Sequence, residues 1–88
     1  MLAAVKLALR IINSAYDSEI NSLIDAAKRD LSLSGVSRSE DISDPLIKQA
    51  IIFYCKANFG ISNPESERYQ KSYDTLKNHL SLAGDYNV

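Results

Sequence analysis

Cys55 and His79 are the one thiol and the one imidazole among 88 residues, the two residue types that a nucleophile and its base would need. Cys55, however, lies inside the run DPLIKQAIIFYCKANFG, Asp44 to Gly60, where a cysteine packs as a small hydrophobe. His79 stands near the end of a polar helical segment, the place of a surface or capping histidine. One Cys and one His are too few for a zinc site, and a lone cysteine closes no intramolecular disulfide, which points to an intracellular protein. Glu40 and Asp41 are adjacent acids, yet in the serine-rich stretch GVSRSEDIS they read as solvated charges and not as a cage of metal-binding oxygens. Gly35, Gly60 and Gly84 are scattered, so no glycine-rich phosphate loop can form. Asp17-Ser18 has the outline of a carrier protein's attachment serine, but Glu19 follows where such carriers have an apolar residue. The expectation is a protein that is not an enzyme and needs no cofactor or metal.

Charge narrows the remaining classes. Ten Lys and Arg against eleven Asp and Glu give a formal net charge of −1, without the basic excess of a protein that grips phosphates. In the last segment Arg68, Lys71 and Lys77 alternate with Glu65, Glu67 and Asp74, a mixed surface and not the basic stripe of a recognition helix. No stretch approaches the roughly 20 apolar residues that span a bilayer, so no membrane association is expected. The apolar start MLAAVKLALRII is interrupted by Lys6 and Arg10 and lacks a clear small-residue cleavage site, which argues against a signal sequence.

The elements that must position these side chains are helices. Gly and Pro divide the chain into four segments, each with apolar spacing near 3.6 residues, so the fold class expected is all-α: a small bundle of about four helices forming one domain over residues 1–88. In the first segment Leu2, Val5, Leu9 and Ile12 recur at helical spacing, widened by Ala4, Leu7 and Ile11. Asp17 is placed to cap a second helix whose stripe is Ile20, Leu23, Ile24, Ala27 and Leu31, with Gly35 as its stop. Gly35 to Ser43 is a polar loop without apolar period, of the kind that meets partners. Asp44 and Pro45 open the third helix and Gly60 ends it. Its arc of Leu46, Ile47, Ala50, Ile51, Tyr54, Cys55 and Ala57 is extended by Ile52, Phe53 and Phe59, so this helix must be surrounded, within one subunit or across a boundary. Asn63 and Pro64 open a fourth helix with a narrow seam of Tyr69, Tyr73, Leu76, Leu80 and Ala83, and the tail after Gly84, residues 84–88, is expected to be a flexible end in which Tyr86 could anchor on a neighbour. A chain this short buries only about 60% of its unfolded surface, so apolar residues beyond the needs of one core suggest self-association.

The order of segments, LALRIINSAYDSEINSLIDAAKRDL, a polar loop, DPLIKQAIIFYCKANFG, then NPESERYQKSYDTLKNHLSL, resembles the small head-tail connector (adaptor) proteins of tailed bacteriophages, also described as phage DNA-packaging proteins. The likeness runs from Leu2 to Leu82 and rests on structural motifs, the DPLIKQAI run and the paired tyrosines above all. It implies a virion protein assembled in the host cytoplasm as a homo-oligomeric ring beneath the portal protein, extending the DNA channel towards stopper or tail proteins, with DNA passing without sequence-specific binding. In such a ring each subunit meets its two neighbours through different surfaces. Leu7, Ile11, Ile52, Phe53 and Phe59 are then the candidate oligomer interface. The loop residues Ser37, Arg38, Glu40 and Asp41 are candidates for the channel or a partner, and Tyr69, Tyr73 and Tyr86 for docking. The second reading is a small helical DNA-binding or regulatory module of a prophage.

Overall fold

A computed structural model describes residues 1–60 and 63–86. It contains α1 (Leu2–Leu9), α2 (Asp17–Leu33), α3 (Pro45–Asn58) and α4 (Ser66–Leu82), with no strand among the described residues. This is the all-α four-helix bundle that the periodicity predicts.

The chain stops α1 after two turns because Arg10 adopts the left-handed conformation, φ 60° and ψ 42°. Its N–H bonds Leu7 O and the next N–H, of Ile11, bonds Lys6 O, the paired bonds of a Schellman ending. The reversal turns Ile11 back onto the core and throws Ile12 into solvent, 99% exposed, so Ile12 does not extend the buried stripe as its spacing suggested. Asp17 does not cap α2. It is that helix's first residue, and its carboxylate lies 2.8 Å from Lys6 Nζ, tying the start of α2 to α1.

Helix α2 ends in the same way, now with the residue that suits it. Gly35 takes φ 95°, where an L side chain is disfavoured, while its N–H bonds Ser32 O and the N–H of Val36 bonds Leu31 O. Leu31 and Val36, the two side chains this motif brings together, are both fully buried. The polar loop is therefore pinned to the core at its start.

Asp44 caps α3 as expected, its Oδ1 accepting from Leu46 N at 2.9 Å with Pro45 following at the first helical position. Helix α3 packs against all three other helices, which is how a segment with so little polar surface is covered. Ile47, Ala50, Ile51 and Cys55 are buried along it in one cluster with Val5 of α1, Ile20, Ile24, Ala27 and Leu31 of α2, and Tyr73 and Leu80 of α4, and Ala57 is buried nearer its end. Leu46, predicted to lie in the buried arc, is 41% exposed because it sits in the first turn, beyond the reach of the core.

Helices α3 and α4 form an antiparallel pair joined at their adjacent ends. Asn63 Nδ2 donates to Lys56 O and Ser66 Oγ to Ala57 O, both at 2.6 Å, so side chains of the connection satisfy carbonyls that the end of α3 leaves open. Asn63 thus serves α3 and a turn through Glu65 N, and α4 begins two residues later than its NPES signal indicated. The helix also ends at Leu82, before Gly84, whose φ is not positive.

Candidate functional site

Three surfaces emerge from this packing. The first is a projection at the end of α1. Leu7 is 81% exposed, and Ile12 stands beyond the Arg10 reversal. The start of α2 lies beside it through the Lys6 to Asp17 ion pair, with Tyr16 packed edge-on against Phe59 at 5.5 Å between centroids.

The second is an open groove of about 650 Å³ between α3 and α4. Leu46, Gln49 and Phe53 form its α3 wall at spacings of three and four residues, and Ser72, Thr75, Leu76 and His79 form its α4 wall in the same rhythm, with Lys71 at the edge. Each wall is thus one helical face about two turns long. The seam that buries Tyr73 and Leu80 leaves these neighbouring positions to line the groove.

The third surface is the polar loop, and it is braced throughout. Arg38 pairs with Asp41 at 3.0 Å, and Asp41 also accepts from Ser43 N and Ser43 Oγ. Those bonds, Ser43's first and Arg38's second, hold the Asp41 carboxyl below its ordinary range. Exposed Glu40 lies 3.5 Å from Lys28 of α2. Ser37 donates both its N–H and its hydroxyl to Tyr86 O, at 2.6 and 3.1 Å. The Tyr86 ring lies under the Arg38 guanidinium at 5.7 Å and its hydroxyl donates to Asp44 Oδ2 at 2.7 Å. The loop, the C-terminal segment and the cap of α3 therefore form one hydrogen-bonded unit.

The nucleophile candidate is not presented for chemistry. Cys55 is fully buried, and burial pushes its thiol up to about 12, so the thiolate is not formed near neutral pH. His79 is exposed on the groove wall. No cluster of three or more His, Cys, Asp or Glu suited to a metal ion occurs among the described residues. No described helix is long and apolar enough to cross a membrane.

The family model described as phage connector protein matches residues 1–87. The chain belongs to that family. No match was found among curated proteins or among solved structures. Membership makes this a phage head-tail connector protein, a virion component that works among other head and tail proteins.

The residues singled out for that role divide sharply by exposure. Leu7 projects, whereas Ile11, Ile52, Phe53 and Phe59 pack against the core and keep only partial exposure. Tyr69 remains half-buried between Lys56 and Arg68, whose cations lie 4.8 and 5.2 Å from its ring. Tyr73 is fully buried and cannot offer its ring to a partner: it packs edge-on against Tyr54 at 5.2 Å and donates to Asp30 Oδ2 at 2.6 Å. Of the tail expected to be a flexible end, Tyr86 packs on its own chain through the bonds above, while residues 87 and 88 lie outside the described residues. Sequence reasoning missed the groove and Ile12. The spacing of Leu46 and Phe53 by two helical turns was a signal for the groove, but periodicity does not say which flank of α3 stays uncovered.

Proposed function

We propose that this connector protein is a structural, non-enzymatic subunit of a ring-shaped adaptor set between the phage portal and the stopper or tail proteins, continuing the DNA channel during packaging and ejection. The observation that carries the reading is family membership over residues 1–87, joined to a core that closes without using all the apolar residues. Leu7, Ile12 and the α3–α4 groove remain outside that core. A closed ring gives such surfaces a destination, because each copy meets its two neighbours through different patches. In this reading DNA slides past a surface of balanced charge, the braced loop from Ser37 to Asp41 faces the channel or an adjoining ring, and the segment ending at Tyr86 docks on portal or stopper. Assembly takes place in the host cytoplasm and the protein ends at the head-tail interface of the virion.

The test is the mass of the purified protein across concentrations by light scattering, with negative-stain images, repeated after adding purified portal protein. Rings formed alone or on the portal are the expected result. A strict monomer in both conditions would overturn the ring reading.

A further inference from the structure

Between α2 and the polar loop lies a second pocket, of about 420 Å³, within the size range of small-molecule sites. Asp25, Lys28, Arg29 and Ser32 supply its α2 side, spaced so that all four share one helical face. Ser39 and Glu40 close it from the loop together with Ser37, which Tyr86 O holds through both its N–H and its hydroxyl. The wall opposite α2 is therefore a fixed one.

Ser39 marks this pocket as a site. It is 5% exposed, and no other serine, amide or charged residue among the described residues is as well covered. Its hydroxyl lines the pocket and makes no hydrogen bond among the described residues. A hydroxyl taken out of water without a partner is costly, and a ligand oxygen relieves that cost. Beside it Lys28 keeps 21% of its side chain exposed, and its one ion pair among the described residues is to Glu40 at 3.5 Å, too long for a charge-assisted hydrogen bond. Arg29 is exposed and in no ion pair among the described residues, and the Ser32 hydroxyl has no bond among them. The pocket thus gathers an ammonium, a guanidinium and two hydroxyls with donor capacity to spare.

Two acids stand against two cations here, so number alone selects no ligand charge. Depth does. The Glu40 side chain is 79% exposed and Asp25 is also exposed, where water screens both, while Lys28 and Ser39 are the covered groups. The inner part of the pocket is therefore donor-rich and positive. Glu40 shows what a carboxylate achieves there: it reaches Lys28 loosely and leaves Ser39, Ser32 and Arg29 unbonded. A phosphate group carries more oxygens, directed tetrahedrally, and suits hydroxyls and a guanidinium as well as an ammonium.

We propose that this pocket binds a phosphate group, free or as a phosphomonoester on a small molecule, anchored by Lys28 and Ser39 with Arg29 and Ser32 at the mouth, and that Glu40 gives way to it. The site stands apart from the ring reading, and neither depends on the other.

Inorganic phosphate and glycerol 3-phosphate are titrated in separate arms into the full-length chain at constant ionic strength, with the backbone amides followed by NMR. Saturating shifts confined to the α2 face and the loop that line the pocket are expected. Tighter binding of glycerol 3-phosphate identifies a phosphomonoester as the ligand and tighter binding of inorganic phosphate the free ion, and either supports the site. Glu40→Gln removes the competing carboxylate and should tighten binding several-fold. Lys28→Met should weaken it about tenfold, and Ser39→Ala several-fold. Helical circular dichroism verifies folding, and the Ser39 and Glu40 variants decide the matter if Lys28→Met does not fold. Shifts that never saturate, an affinity untouched by Ser39→Ala, or a Glu40→Gln chain that binds no more tightly would each overturn the proposal. So would acetate binding as tightly as phosphate, which makes the pocket a carboxylate site. A short single-stranded oligonucleotide that shifts these amides where both phosphate probes do not makes the face a nucleic-acid surface and equally overturns it.

Discussion

Arg10 shows how one backbone angle decides what a helix presents. A side chain at φ 60° is held in a conformation that costs an L-residue roughly 1 to 2 kcal/mol relative to glycine's tolerance of it. Arg10 is exposed and in no ion pair among the described residues, so its side chain contributes little to offset that cost. Arg10→Gly is therefore expected to stabilise the fold by about 1 kcal/mol, seen as a higher denaturant midpoint at unchanged slope. A lower midpoint would show that the reversal after α1 is not held as described. At the same scale Asp30 fastens α4 to α2, receiving the Tyr73 hydroxyl at 2.6 Å and the Lys77 ammonium at 3.2 Å. Burial first, and then the bond to Asp30, push the Tyr73 phenol far above its ordinary value, so it remains a donor at any physiological pH.

Among the elements, α3 is the centre and the C-terminal segment is its strap. Tyr86 grips the loop through its carbonyl and the cap of α3 through its hydroxyl, and each end of that last bond shifts the other. The bond from Tyr86 is the largest influence lowering the Asp44 carboxyl from 3.8, so Asp44's contribution is present above the ordinary carboxylate range and is lost as pH falls through the lowered value. The bond to Asp44 is likewise the largest influence raising the Tyr86 phenol above 10.0, so its contribution is complete below that value and lost as pH climbs through the raised one. The strap should hold between about pH 4 and pH 10. Tyr86→Phe keeps the carbonyl bonds but removes the bond to Asp44, and hydrogen exchange at the Ser37 amide near pH 7 should quicken several-fold. If exchange is unchanged, and Tyr86 ionises in the parent chain near its ordinary value, the strap is not a joint element.

At the scale of the whole molecule the chain is fully condensed. Its radius of gyration is 12.6 Å, where about 12 Å is expected for this length, and its 5430 Å² of accessible surface compares with about 5,200 Å² for a protein of this mass. The apolar residues left outside are thus not a sign of loose packing. Some cations are tied to acids on neighbouring elements, as Lys28 to Glu40 and Lys77 to Asp30, and the chain as a whole has a formal net charge of −1, without basic excess. Binding to a DNA duplex at low salt is expected to be weak or absent. A clear affinity that falls steeply with added salt would instead favour the DNA-binding or regulatory reading.

The sequence by itself determined the four helices, because Ile20, Ile24, Ala27 and Leu31, or Tyr73 and Leu80, recur at a helical period that depends only on local backbone geometry. It also determined where α3 starts and α2 stops, since Asp44, Pro45 and Gly35 act on bonds within a few residues of themselves. The connector resemblance was legible too, in the order of those segments. The tertiary structure alone decided which apolar residues close the core and which project. Leu7 and Ile12 share the composition and period of Val5 and Ile11, yet the turn at Arg10 and the placing of α1 on α3 separate them. Likewise Tyr73 and Tyr86 look equivalent to a reader of composition. Their roles depend on Asp30 and Asp44, each more than forty residues away in the chain, and a bond of that range exists only once the helices have packed.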